Sequence, residues 1–168
     1  MAKDKKMKKE KATAAMDVDQ DNDDDSLKFL SPIAHPLAEK KLSKKLFKTV
    51  KKASKVKHIR RGVKEVGKAV RKGEKGLVVI AGDISPMDVI SHLPVLCEDH
   101  DIPYVFVPSK EKLGEASQTK RPTSVAMIVF GGKTKDEKAA EDYKELYDEC
   151  YSSAKELVSF SLFFFFSL

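Results

Sequence analysis

One short stretch constrains the fold of this chain more than any other. Residues 76–82 read Gly-Leu-Val-Val-Ile-Ala-Gly, an unbroken apolar run with a glycine at each end. A strand with one face in water alternates apolar and polar residues, whereas a continuous apolar run is typical of a strand buried on both faces. Helices must then cover both faces of the sheet, so this run predicts an α/β fold.

Hydrophobic periodicity and turn residues predict the elements around this strand. In Ser85-Pro86-Met87-Asp88 we expect serine to cap a helix that runs to about Asp99, with proline in the first position. Ser109 is expected to cap a shorter helix that ends near Leu113-Gly114. The other predicted elements are helices at about 36–54, 63–72 and 136–158 and strands at about 56–60, 104–107 and 124–130. The alternation predicts a three-layer α/β/α sandwich with one mixed sheet of about four strands.

Both ends of the chain differ in composition from this domain, which we place at residues 31–158. Residues 1–30 hold a lysine cluster and then an aspartate cluster with few apolar residues, so we expect a disordered charged tail. The lysine cluster is either a nuclear localisation signal or simply solvated. Residues 159–168 form an atypical apolar C-terminal tail, too short to span a bilayer. Such a tail either is exposed and promotes aggregation or packs as a last helical turn.

Charge is distributed very unevenly along the chain. The formal net charge is +6, but residues 40–75 contain 16 lysines and arginines against two glutamates. That segment therefore carries +14, which leaves −8 for the remainder. A chain so polarised presents a positive surface, and the natural counterpart of such a surface is a phosphate backbone.

Within the basic segment, residues 60–68 have the composition of an RNA-binding site. Gly62 is predicted at a strand-to-helix junction, where the helix N-terminus directs backbone N–H groups and a positive dipole outward. Lys64 and Lys68 are four residues apart and share a face that fits two phosphates. Arg60 and Arg61 add planar donors. Glu65 either screens its neighbours and favours the helix dipole or accepts a hydrogen bond from a base, and charge alone does not separate the two.

Two further loops are expected at the same end of the sandwich. The first is Asp83-Ile84-Ser85, after the buried strand, from which we select Ile84 as an RNA contact. The second is residues 116–122, where Lys120 and Arg121 form a basic pair among small residues that allow RNA to approach.

The sequence contains little that indicates catalytic activity. The chain has neither of the glycine-rich phosphate-binding motifs, and its four histidines are scattered without an obvious nucleophile or second ligand. Cys97 and Cys150 lack metal-ligand spacing, and Cys97 falls on an apolar helix face. We expect no metal, no cofactor, no membrane association and no catalysis. The alternative from another class is a small hydrolase or ligand-binding domain that uses Asp83 and His92.

Several motifs, in order and spacing, resemble a known family. The stretches that carry the resemblance are residues 61–66, 73–86, 91–99, 103–110, 113–114 and 120–124. Together they are similar to the ribosomal-protein L7Ae superfamily, which includes kink-turn-binding proteins, over about residues 31–157. The resemblance implies an α/β/α sandwich and RNA contact through Gly62, Lys64, Glu65 and Lys68. In kink-turn binders an asparagine stands where this chain has Lys64, and lysine has no acceptor.

That departure favours the branch of the superfamily found in box H/ACA ribonucleoproteins. This branch implies a non-catalytic scaffold in the nucleus and nucleolus that supports guided pseudouridylation of ribosomal and spliceosomal RNA, and in some lineages a link to telomerase RNA. Its implied partners are a box H/ACA guide RNA, a dyskerin-type pseudouridine synthase and a small nucleolar linker subunit. The alternative is a kink-turn-binding protein of the box C/D particle, the spliceosome or the ribosome.

Overall fold

The computed structural model describes residues 30–129 and 137–166 of the chain, with side chains described for 30–129 and 143–159. The sheet is built around the predicted apolar strand. The elements are, in chain order, α1 (Lys40–Lys55), β1 (Ile59–Arg61), α2 (Val63–Arg71), β2 (Gly76–Ala81), α3 (Asp88–Asp99), β3 (Tyr104–Val107), α4 (Lys110–Ala116), β4 (Val125–Val129) and α5 (Glu137–Phe166).

Strand β2 lies inside a mixed sheet, and each of its residues is buried. It pairs parallel with β3 on one side and antiparallel with β4 on the other. Strand β1 then pairs antiparallel with the far edge of β4, which gives the order β1-β4-β2-β3. The predicted mixed sheet of about four strands is confirmed.

The side chains of β2 alternate between two apolar cores, one on each face of the sheet. Leu77 and Val79 belong to the core that α1, α4 and α5 cover. Val78 and Ile80 belong to the core that α2 and α3 cover. The three-layer α/β/α sandwich is therefore confirmed, and it places α1 and α2 on opposite faces of the sheet.

The first helix begins later than its periodicity predicts, at Lys40 rather than near residue 36. The reason is a contact with a distant strand. The Phe106 amide donates to the Pro36 carbonyl at 2.9 Å, and the Ala38 amide donates to the Phe106 carbonyl at 2.8 Å. Leu37 thus lies beside β3 as an extended residue. Similarly, β1 begins at Ile59, because the amides of Lys57 and His58 still bond to carbonyls in the last turn of α1.

The predicted start of α3 is wrong by two residues. The helix begins at Asp88, and Met87, not Ser85, supplies the first carbonyl, which accepts from the Ile90 and Ser91 amides. The Ser109 cap is confirmed, since its hydroxyl accepts from the Lys112 amide at 3.4 Å, although α4 runs on to Ala116.

The two terminal segments predicted from the sequence are only partly described by the structure. Residues 1–29 and 167–168, and with them the predicted disordered tail, lie outside the described residues. Helix α5 continues to Phe166, so its backbone passes without a break through the predicted boundary at residue 158. Among the described helices, none combines the length and the apolar character that crossing a membrane requires.

Candidate nucleic-acid interface

The candidate interface lies where three strand ends meet. The Gly62 amide donates to the Val125 carbonyl at 2.8 Å, and the Ala81 amide donates to the Ser124 carbonyl at 2.8 Å. The start of β4 is therefore held between the ends of β1 and β2. This arrangement brings the first turn of α2, the loop after β2 and the loop before β4 to one end of the sandwich, as the sequence predicts.

Gly62 caps the N-terminus of α2 in a conformation that favours glycine. Its φ is +84°, and a Cβ at this position would have no heavy atom within 4 Å. The residue is thus required by backbone conformation and not by crowding. The empty space in front of it leaves the N-terminus of α2 open to an approaching ligand.

The exposed residues Lys64, Glu65 and Lys68 follow on α2. With Val63 they line a groove of about 570 Å³ that also includes two residues outside the predicted site, Arg71 and His92. Arg71 lies three residues after Lys68, a helical spacing that the sequence already contained. His92 comes from α3 and joins the groove only through the packing of the two helices, so no local pattern indicated it.

Glu65 has a structural partner. Its Oε2 accepts a hydrogen bond from the backbone amide of Arg61 at 3.2 Å. A carboxylate has about four lone-pair positions, so this bond leaves acceptor capacity for a ligand. Both sequence interpretations of Glu65, as a residue that favours the helix start and as a base reader, are compatible with this geometry.

The two arginines of β1 do not act together, because neighbouring residues of a strand face opposite sides of the sheet. Arg61 turns towards α1, where its Nη2 donates to the Ser54 Oγ at 2.7 Å, and its Nε is buried without a hydrogen-bond partner in the described structure. Arg60 forms an exposed ion pair with Glu74, 3.4 Å between Nε and Oε2. Glu74 follows the C-terminal end of α2, so this pair lies away from Lys64.

The loop after β2 is held by Asp83. Its Oδ1 accepts from the Lys110 amide at 2.9 Å, and its carbonyl lies 3.3 Å from the Lys110 Nζ. Burial raises the pKa of the Asp83 carboxyl, against the lowering effect of the Lys110 hydrogen bond. Ile84 is half-buried and packs against both cores, so it presents only part of its side chain at this end of the molecule.

The loop before β4 carries Lys120 and Arg121, both exposed. Thr119, which the sequence did not single out, holds this loop, because its Oγ1 lies 3.0 Å from the Gly114 carbonyl and 2.8 Å from the Arg121 carbonyl. The Thr123 amide adds a bond to the Lys110 carbonyl at 3.1 Å. The loop that carries the basic pair is thus held by contacts to backbone carbonyls.

Two other ionisable side chains, those of His58 and Cys97, are buried in the structure. His58 is buried, with its Nδ1 2.8 Å from the Tyr143 hydroxyl. Burial raises the pKa of the Cys97 thiol to about 12, which keeps it protonated and unreactive at neutral pH. Within the described residues, no group of three or more histidine, cysteine or acidic side chains is arranged to hold a metal.

Comparison with known proteins places this architecture. Residues 44–138 match the model of the ribosomal protein L7Ae/L30e/S12e/Gadd45 family. The chain belongs to this family. Within the family, the H/ACA ribonucleoprotein complex subunit nhp2 of Schizosaccharomyces pombe is 66% identical over 89% of this chain and 94% of its own length. The H/ACA ribonucleoprotein complex subunit 2-like protein of Xenopus laevis is 51% identical over 90% and 96%.

A solved structure of the family shows the same fold. The 15.5kD RNA binding protein of Giardia lamblia superposes with a TM-score of 0.67 at 34% identity, over 76% of this chain and 99% of that one. The resemblance to the box H/ACA branch, which the sequence motifs indicate, is confirmed by the near-full-length relatives.

Proposed function

We propose that this chain is a non-catalytic RNA-binding scaffold subunit of the box H/ACA small nucleolar ribonucleoprotein. The observation that carries the proposal is the similarity, at 51% and 66% identity over nine-tenths of the chain, to proteins named as subunits of that complex. The open, basic start of α2 supports the RNA-binding part of the proposal.

In this proposal the RNA is bound mainly through its backbone. Lys64 and Lys68 contact phosphates from one face of α2, Gly62 permits close approach, and Glu65 accepts from a base. Lys120 and Arg121 add phosphate contacts from the loop before β4, and Ile84 adds an apolar contact from the loop after β2. Arg60 and Arg61 lie at the edges of this surface. Each already has a partner within the chain, so they contribute less to RNA binding than the two lysines do.

The chemistry of such a particle lies elsewhere. A dyskerin-type synthase converts uridine to pseudouridine in ribosomal and spliceosomal RNA at positions chosen by the guide, in the nucleus and nucleolus. This chain holds the upper stem or loop of the guide RNA and docks on the small nucleolar linker subunit. The absence of an acceptor at Lys64 supports placement by partners over independent kink-turn reading.

The salt dependence of RNA binding tests the assigned surface. Binding of the full chain to an H/ACA hairpin is measured over a range of salt concentrations. Substituting Lys64 and Lys68 by alanine is expected to weaken binding and to reduce the slope of log K against log salt by about 0.7–0.9 per lysine. The control is Lys144→Ala with Lys155→Ala on the exposed side of α5, which leaves both affinity and slope unchanged.

Recovery of partners tests the particle. The full chain, immobilised and exposed to nuclear extract, is expected to retain the pseudouridine synthase and the linker subunit. Recovery of box C/D methylation proteins in their place would overturn the proposal and return the kink-turn-binding alternative.

A further inference from the structure

A second groove lies on the opposite face of the sheet from α2, between α1 and α4. It has a volume of about 480 Å³ and an apolar floor. The floor is formed by Leu37, Ala38, Phe47, Pro108 and Ala116. The proposed RNA-binding residues are absent from its lining, so this groove is a separate surface.

The rim of the groove is basic. Lys44, Lys48 and Lys51 are exposed and spaced four and three residues apart, so they form one row along α1. In all, five lysines and two glutamates line the groove, an excess of three positive charges. An apolar floor beneath a cationic rim fits a peptide that carries both carboxylates and apolar side chains. A nucleic-acid backbone would use the rim and leave the floor empty.

This chain contains a peptide of that kind. Residues 17–25 hold six aspartates and no lysine or arginine, and Ser26-Leu27-Lys28-Phe29 follow directly. We propose that the acidic segment 17–29 of the same chain binds the α1–α4 groove, with aspartates along the lysine row and Leu27 on the apolar floor.

The attachment point of the segment favours this contact. The Ser31 amide donates to the Gly82 carbonyl at 2.8 Å, and the Gly82 amide donates to the Val107 carbonyl at 2.8 Å. Pro108, the next residue, lines the groove. The described chain therefore begins at the end of β2 and β3, close to Pro108 through this pairing. Leu30 and Ala34 pack on the α2–α3 face, so the segment must pass round this end of the sheet to enter the groove.

The length of the segment is also sufficient. The nine residues 17–25 extend to about 30 Å, more than the row from Lys44 to Lys51, which measures about 10 Å along the helix, and the five residues from Asp25 to Leu30 add a tether of about 17 Å. Exposed ion pairs are individually weak, but tethering raises the effective concentration to about the millimolar range, so weak pairs suffice.

A spin label on the acidic segment tests the contact in the full chain. Cys97 and Cys150 are buried, so a thiol-directed label attaches to the new cysteine of a Gln20→Cys variant. In the ¹⁵N-labelled protein, the amide signals of Phe47, Lys48 and Lys51 are expected to lose most of their intensity. Lys44→Glu with Lys48→Glu should restore the signals of Phe47 and Lys51, and Lys144→Glu with Lys155→Glu on α5 should not.

The other possible occupants are separate outcomes. Unchanged groove signals, or losses centred on Lys64 and Lys68, would overturn the proposal. So would losses in a mixture in which the spin label and ¹⁵N reside on different molecules, because a second copy would then fill the groove. An added H/ACA hairpin should shift Lys64 and Lys68 while the groove losses persist. A hairpin that abolishes the losses and shifts Lys48 would assign the groove to nucleic acid.

Discussion

The Glu65 carboxylate accepts a hydrogen bond from the Arg61 backbone amide, 3.2 Å from Oε2 to N, across the turn in which Gly62 begins α2. The bond ties the last residue of β1 to the first turn of the helix. It also holds a negative charge at the helix N-terminus, where the dipole stabilises it. One side chain thus shapes the proposed RNA surface before any ligand arrives.

Removing this bond should lower the stability of the fold. Glu65→Ala loses the acceptor and the favourable charge, so the free energy of unfolding is expected to fall by about 0.5–1 kcal/mol. Urea denaturation measures the change. Glu145→Ala, at an exposed position of α5, should stay within about 0.5 kcal/mol of the native chain. An unaltered unfolding midpoint for Glu65→Ala would show that the bond contributes nothing.

Lys64 is expected to limit the preference for kink-turn RNA. The native chain should bind a kink-turn and an H/ACA hairpin with similar affinity, because a lysine contacts phosphate without reading a base edge. Lys64→Asn supplies a donor and an acceptor, and we expect it to raise the preference for a kink-turn over a plain duplex by roughly tenfold. Gel-shift titrations measure this, with Lys68→Asn as the charge-matched control. Strong discrimination by the native chain would contradict our interpretation of Lys64.

A side chain at Gly114 should lower the stability of the fold. A Cβ there would lie 2.6 Å from the Arg121 carbonyl oxygen, a backbone atom that gives way only if the loop moves. Gly114→Ala is therefore expected to cost about 1–3 kcal/mol and to weaken RNA binding through Lys120 and Arg121. Thermal unfolding and hairpin binding measure the two effects.

Gly67→Ala is the matched control for this change. Its Cβ would meet only side-chain atoms, the nearest at 3.7 Å, in the interior of α2. Alanine should therefore stabilise the fold, by up to about 1 kcal/mol. Equal effects of the two substitutions would show that the close approach of Gly114 to the loop does not matter.

Stability should fall in alkaline solution through Cys97. Burial raises the pKa of this thiol from 9.0 to about 12, so the folded state keeps a proton that the unfolded state loses. The contribution of this proton to the free energy of unfolding is fully present below pH 9. It is lost as the pH rises towards 12, by roughly 1 kcal/mol at pH 10. Urea unfolding at several pH values should show a shallower alkaline decline for Cys97→Ala. Ser152→Ala, on α5, should keep the native profile.

Local patterns predicted the elements whose causes are local. The continuous apolar run of β2 and the serine cap of α4 are each complete within a few residues. The start of α1 was misplaced because Pro36 and Ala38 bond to Phe106, a residue far along the chain that no periodicity analysis can associate with them. At α3 the local capping pattern predicted a cap at Ser85, but the helix begins at Asp88, so the pattern alone misplaced its N-terminus.

The residues of the candidate site also fall into two groups, those that the local sequence predicts and those that depend on three-dimensional packing. Gly62, Lys64 and Lys68 could be selected from spacing and charge because they lie within two helical turns. His92 and Thr119 could not, since the first reaches the groove by helix packing and the second acts through carbonyls of its own loop. The opposite directions of Arg60 and Arg61 follow from strand alternation, but their partners Glu74 and Ser54 become visible only in three dimensions.

The strand order β1-β4-β2-β3 has a consequence for synthesis of the protein. Strand β1 pairs with β4 and with no other strand of the described sheet. The ribosome must add roughly 60 residues after β1 before β4 exists, which takes several seconds at ordinary elongation rates. The basic stretch therefore emerges as nascent chain well before the strand that orders it. A polypeptide released early, before Val129, would carry the cationic residues without the framework that gives them a selective shape.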